Sequence, residues 1–194
     1  MSGLSATPDA PRGDERAGPA AAVLVLLTGV PEVVLVRKRA GLRFHGGQVA
    51  FPGGALEPGE DVIAAALREA REEAGVDPAS VAVDGMLPAG TIRLTGVRVA
   101  CVMARWERPA PLVVGDPDEI ASVHLVPLAE LADPSHRYTW VHPSGTTGPG
   151  FQAGELFVWG FTAGVLDRLL ALKGLAGPWD ATRRRPIPEA FLSE

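Results

Sequence analysis

The sequence predicts a layered α/β domain built on a mixed β-sheet. Three observations carry this. Hydrophobic residues make up 46% of the 194-residue chain, enough for a core in one domain with or without tails. Apolar β-rich runs are interleaved with two or three helical stretches. Several neighbouring strands have short connections, which suits a mixed sheet rather than a regular βαβ array.

Residues 1–19 are polar and rich in Pro, Ala and Gly, and read as a disordered tail. They lack the basic-then-apolar order of a signal peptide. Residues 21–27 and 32–37 are β-rich and split by Thr28-Gly29-Val30-Pro31, which predicts two strands joined by a tight turn. A glycine-rich loop occupies 41–54. The strongest helix is 61–74, which Asp61 can cap and Gly75 ends. Strands are expected over 81–87, 98–105 and 124–127, a short helix over 128–132, and a second long helix over 157–172, closed by Gly174. The domain then spans 20–176. Residues 177–194, with Arg183-Arg184-Arg185 and three prolines, read as a solvated tail.

The net charge of −5 gives no basic footprint for nucleic acid. It is compatible with a small anionic substrate, because bound metal ions can reverse the local charge. The single cysteine, Cys101, cannot form an internal disulfide. The apolar run 20–27 is too short to span a bilayer. These features predict a cytoplasmic protein with no membrane contact, and a homodimer is compatible with them. The four histidines, His45, His124, His136 and His142, do not form a zinc-ligand pattern.

The chemistry is concentrated in one stretch. Gly54 is followed after five residues by Glu60, and after seven more by Arg68-Glu69-Ala70-Arg71-Glu72-Glu73-Ala74-Gly75-Val76. On a helix at 100° per residue, Glu69, Glu72 and Glu73 fall within an arc of about 100°. Ile63, Ala66, Leu67, Ala70 and Ala74 fall on the adjoining arc and are expected to face the core. Glu69 and Glu73 are a like-charged i,i+4 pair, which costs a few tenths of a kcal/mol in an isolated helix. Carboxylates bunched in this way make a hard-oxygen site suited to Mg²⁺ or Mn²⁺. A glutamate-rich helix face is more commonly just solvated; the fixed spacing back to Gly54 and Glu60 favours a site here.

This stretch resembles the Nudix box, G-x5-E-x7-R-E-U-x-E-E-x-G-U, where U is aliphatic. All seven single-identity positions match, which chance would produce in roughly one window in 10⁸. Ala70 is smaller than the usual aliphatic residue. The resemblance implies an α/β/α sandwich with a central mixed sheet, and hydrolysis of a nucleoside diphosphate linked to another group. It implies Glu69, Glu72 and Glu73 as metal ligands, with Glu72 and Glu73 central to catalysis. Arg68 would pair with these acids and fix their rotamers, and Glu60 would support the site from outside.

The preceding segment, Arg43-Phe44-His45-Gly46-Gly47-Gln48-Val49-Ala50-Phe51-Pro52-Gly53-Gly54, resembles the right half of the coenzyme A pyrophosphatase signature, LLTxR[SA]x3Rx3Gx3FPGG. In the left half, Leu35 fits, while Val36, Lys38 and Arg39 stand where the signature has Thr, Arg and Ser or Ala. The resemblance implies Arg43, His45, Gly47, Gln48, Gly53 and Gly54 as substrate-binding. Arg37, Lys38, Arg39 and Arg43 form a basic cluster that could meet phosphate, or could be strand residues with solvated tips. Glu119, in a segment resembling the approach to a late Nudix strand, could orient or deprotonate water, or be a structural loop acid. Three readings remain: a hydrolase of coenzyme A or its thioesters; a hydrolase of NADH, ADP-ribose or a nucleoside triphosphate; and a non-catalytic ligand-sensing module.

Overall fold

The computed structural model describes residues 18–92 and 96–192. The disordered tail expected over 1–19 lies outside them as far as residue 17. In chain order the strands of the larger sheet are β1 (Ala21–Leu27), β2 (Glu32–Lys38), β3 (Val49–Ala50), β4 (Gly53–Ala55), β5 (Val81–Thr91), β6 (Arg98–Trp106) and β7 (Ile120–Pro127). The path runs β3-β2-β1-β6-β5, with β4 added to β1 and β7 to β2. β1 and β6 run parallel while the other pairs are antiparallel, so the sheet is mixed.

The period-2 alternation of β1 and β2 sends alternate residues to opposite faces. Ala22, Leu24, Leu26, Val34 and Val36 meet α1 (Val62–Ala74) through Ala65, Ala66, Ala70 and Ala74. Val25, Leu27, Val33 and Leu35 face the other way, onto α2 (Leu128–Ala132) and α3 (Gly160–Leu172). Burial on both faces makes these strands read as nearly continuous apolar runs. A mixed sheet thus lies between helical layers, the architecture that the resemblance implies.

Helix α1 carries both expected caps. Asp61 Oδ1 accepts from the N–H groups of Ile63 and Ala64, at 2.8 and 3.0 Å. Gly75, at φ 68°, donates to Arg71 O, and Val76 N–H reaches Ala70 O; this left-handed closure satisfies carbonyls that the helix leaves open. The core face differs from expectation at Ile63, which is 38% exposed. Ala65 takes a core position, helped by the partly buried Val62 and Leu67.

Three expectations need correction. The second long helix begins at Gly160, not at 157, because Leu156–Val158 is a strand, β10; Gly160, at φ 63°, marks the change. Two further strands, β8 (Arg137–Val141) and β9 (Thr147–Ala153), were not expected. The described part of 177–194 is not a solvated tail, since β11 (Arg184–Pro186) pairs in parallel with β8. These four form a second sheet in the order β10-β9-β8-β11. Arg185 lies 4.9 Å over the Tyr138 ring and donates to Gln152 Oε1 at 3.0 Å, and Ile187 is buried. A three-residue strand that ends in proline carries no local periodicity; only its partner, some 45 residues upstream, reveals it.

Candidate active site

Glu69, Glu72 and Glu73 share one arc of α1 but occupy three environments. Glu72 is open to solvent, Glu69 is half-buried, and Glu73 is 2% exposed. The alanine face sits so close to β1 and β4 that the flank bearing Glu73 is carried under the sheet edge. There Gly53 N–H donates to Glu73 Oε2 at 3.1 Å and Lys38 Nζ donates to Oε1 at 2.6 Å. Burial pushes the Glu73 carboxyl up to about 7, against the opposing pull of Lys38 and the Gly53 amide.

Lys38 fits neither reading of the basic cluster, since it neither faces a phosphate at the surface nor has a solvated tip. It is 9% exposed and points under the sheet. The signal was present, because Val34, Val36 and Lys38 share one face of β2 at period 2. Its Nζ also donates to Glu119 Oε1 at 2.5 Å. Burial alone would lower the lysine, but Glu73 and Glu119 together raise it and keep it charged.

Glu119 is brought there by the segment before β7. That segment docks on the last turn of α1, where Val113 and Gly115 N–H groups donate to Ala74 and Glu73 carbonyls. The Asp116 carboxylate then folds the chain by accepting from Asp118 and Glu119 N–H groups. Arg39 fastens the turn to β2 through Glu119 O and Pro117 O. Arg37 faces Ser122 while Lys38 faces Ile120, so the ladder skips Ala121 at this point. An irregularity of this type re-aims side chains at the edge of a site.

Arg68 ties the other acids. It makes a two-pronged contact with Glu60, at 3.0 Å for each nitrogen, and reaches Glu69 at 2.8 Å, Glu72 at 3.1 Å and Ala55 O at 3.1 Å. With its donors engaged this way, Arg68 holds Glu69 and Glu72 beside Glu60. Glu60 thereby clamps the loop to the helix.

Gly53 and Gly54 serve the site by lacking side chains. A Cβ on Gly54 would lie 2.4 Å from Glu69 Oε1. Gly54 has no positive φ and pairs with Ala22 in β4; its lack of a side chain makes room for Glu69. A Cβ on Gly53 would lie 2.3 Å from Ala22 O and 2.7 Å from Val23 Cα, and neither can yield. Gly53→Ala should therefore cost about 1–3 kcal/mol, read as a drop of several degrees in thermal midpoint. An unchanged midpoint would refute this packing.

The remaining predicted residues make a separate set of contacts. Arg43 is exposed, with its guanidinium 5.2 Å from the Phe44 ring centroid. His45 adopts φ 59° and its Nδ1 lies 3.3 Å from Gln48 Oε1. Gln48 Nε2 donates to Phe191 O at 3.2 Å, and Gly47 at φ 72° lies against the Phe191 ring. Gly47 and Gln48 thus have partners in the C-terminal segment. An open groove of about 700 Å³ runs beside α1, lined by Glu60, Arg68, Arg71, Glu72 and Gly115 among others.

Among the described residues no three His, Cys, Asp or Glu side chains converge closely enough to hold a metal ion as they stand. Lys38 lies between Glu73 and Glu119, and Arg68 joins Glu60, Glu69 and Glu72. The donor chemistry nonetheless fits a hard divalent ion: all the groups are carboxylates. A buried carboxylate such as Glu73 also requires a cationic partner.

This layered α/β fold, with its acid-bearing helix, has the carboxylate chemistry that metal-assisted hydrolysis of a phosphate anhydride needs. The NUDIX domain family matches residues 18–146. The uncharacterized Nudix hydrolase NudL of Cronobacter sakazakii is 40% identical over 161 residues, covering 77% of this chain and 80% of that protein. NudL of Citrobacter koseri is 38% identical over 151 residues, covering 72% and 73%. The crystal structure of a Nudix hydrolase from M. smegmatis, RenU, superimposes with a TM-score of 0.56 at 20% identity, over 84% of this chain and 89% of that one. The chain belongs to the Nudix hydrolase family and is a diphosphatase of that type. Enzymes of this family generally use divalent metal ions and act on small nucleotide substrates. Among the described residues no helix is long and apolar enough to cross a membrane.

Proposed function

We propose that this Nudix hydrolase cleaves the diphosphate of coenzyme A or its thioesters, giving 3′,5′-ADP and 4′-phosphopantetheine or its acyl form. One observation carries the reading. The segment with Arg43, Gly47 and Phe51-Pro52-Gly53-Gly54 at the signature spacing runs directly into the carboxylates: Gly53 N–H holds Glu73, and Gly54 abuts Glu69. Substrate-recognition loop and acid cluster are one continuous unit.

Glu69, Glu72 and Glu73 would hold Mg²⁺ or Mn²⁺, which when bound neutralises diphosphate oxygens and lowers the proton affinity of a water. Arg68 keeps Glu69 and Glu72 in place through its grip on Glu60. Glu119 accepts the proton as water adds to phosphorus and the anhydride P–O bond breaks. Arg43, at the surface of the loop, takes a substrate phosphate; His45 and Gln48 shape the same loop. A second reading, in which NADH, ADP-ribose or a nucleoside triphosphate is the substrate, rests on the departures from the signature at Val36, Lys38 and Arg39.

Losing one charge-assisted contact costs about 1.5–3 kcal/mol, or roughly 10- to 150-fold. Arg43→Ala should lower kcat/KM for coenzyme A by that order. Activity on dephospho-coenzyme A should change little if Arg43 meets the 3′-phosphate. Product chromatography fixes the bond cut. Much faster turnover of NADH or ADP-ribose than of coenzyme A by the unmodified enzyme would sink the substrate assignment.

A further inference from the structure

Two carboxylates from separate elements, Glu73 on α1 and Glu119 ahead of β7, meet across one ammonium. Lys38 Nζ is 2.6 Å from the first and 2.5 Å from the second. Glu73 is buried and Glu119 is about half exposed. The contact therefore has a dry end and a wet end. We propose that Lys38 is a stand-in cation: it holds Glu73 and Glu119 together before a divalent ion binds, and gives up Glu73 when one does. This rests on the reading of Glu73 as a metal ligand.

Charge and reach support it. A buried carboxylate left without a cation is strongly disfavoured, so something must neutralise Glu73, and here it is Lys38. A divalent ion on Glu73 would supply that charge itself. It would also stand a few ångströms from the ammonium, where like-charge repulsion in a poorly solvated site is large. The lysine stem is flexible and its head can move toward water, and Glu119 marks the solvent side. Lys38 thus acts through Glu73 and Glu119 as a positioning residue, and it makes the carboxylates stable in the absence of metal at the expense of metal affinity.

The chain has two lysines, Lys38 and Lys173, and Lys173 is exposed. Reductive methylation of the unmodified full chain, read by peptide mass spectrometry, therefore has a built-in reference. In chelator, Lys38 should react at least about tenfold more slowly than Lys173, as burial and two ion pairs require. Saturating Mn²⁺ should raise the Lys38 rate several-fold and leave Lys173 unchanged. Direct Mn²⁺ binding by electron paramagnetic resonance gives the second readout. Lys38→Met should tighten Mn²⁺ binding by about tenfold, because a competing positive charge is gone. Lys38→Arg, which keeps the charge, should stay within about threefold of the unmodified protein.

A Lys38 rate that Mn²⁺ does not alter would overturn the proposal, as would Mn²⁺ binding that Lys38→Met leaves unchanged or weakens. Tightening by Lys38→Arg equal to that of Lys38→Met would also overturn it. If Lys38→Met fails to fold, the labelling of the unmodified chain decides alone. Absence of any Mn²⁺ binding by the unmodified chain is a different result, because it removes the metal-site reading itself and this inference with it.

Discussion

Glu73→Gln should lower kcat by about 10²–10³ or more in saturating Mg²⁺, the scale of losing one preorganised electrostatic contact in a dry site. The fold should survive. Glutamine keeps the shape of the side chain, can still accept from Gly53 N–H, and leaves Lys38 paired with Glu119. Neutralising a carboxyl whose charged form is penalised by burial removes as well as adds unfavourable terms, so the thermal midpoint should move by only a few degrees. Glu72→Gln separates the two roles of these acids. Glu72 is exposed, and its ion pair with Arg68 at 3.1 Å contributes at most about 0.5 kcal/mol. Its replacement should leave stability untouched while activity falls. Chelator should abolish activity in the unmodified protein and Mg²⁺ or Mn²⁺ should restore it. Steady-state kinetics beside thermal unfolding reads all of this, and full activity in Glu73→Gln would remove that residue from the chemistry.

Removing the C-terminal segment should have the largest effect on stability. Ile187, Tyr138 and Trp140 form a buried cluster against which Phe157, Trp159, Phe191 and Leu192 pack. Trp179 lies 4.6 Å over the guanidinium of Arg137, which is 2% exposed and paired with Asp167. Ile187→Ala alone should cost about 2–4 kcal/mol, a fall of roughly 4–16 °C for a chain of this size. Truncation after Ala176 should cost more, since it also takes β11 from β8 and uncovers Arg137. The loop bearing Gly47 and Gln48 would lose its backing by Phe191, so kcat/KM should fall even where the truncated protein remains folded. A truncated chain with the midpoint of the full one would show that residues beyond 176 are not held in the second sheet.

The sequence by itself determined the parts whose signals are local. The helix with its caps at Asp61 and Gly75, the two strands on either side of Thr28–Pro31, and the strand faces follow from periodicity and from residues that act within a few positions. The fixed spacing from Gly54 to Gly75 identified the acids and the family, because one helix and its preceding loop carry the whole pattern. What that spacing could not supply was the partner of each acid. Glu73 meets Lys38 at a separation of 35 residues and Lys38 meets Glu119 at 81. Those contacts depend on the docking of α1 on the sheet, the skipped residue in the β2–β7 ladder, and the turn around Asp116. The second sheet escaped for the same reason. Two of its strands, β10 and β11, have three residues each, β9 is interrupted by Gly148, Pro149 and Gly150, and β11 finds β8 only after the chain has crossed α3. A short strand has no stable existence apart from its neighbours, so tertiary structure alone decided that the arginine-rich end would pack as a strand, and that Lys38, on the inward face its period-2 position gives it, would meet Glu73 and Glu119.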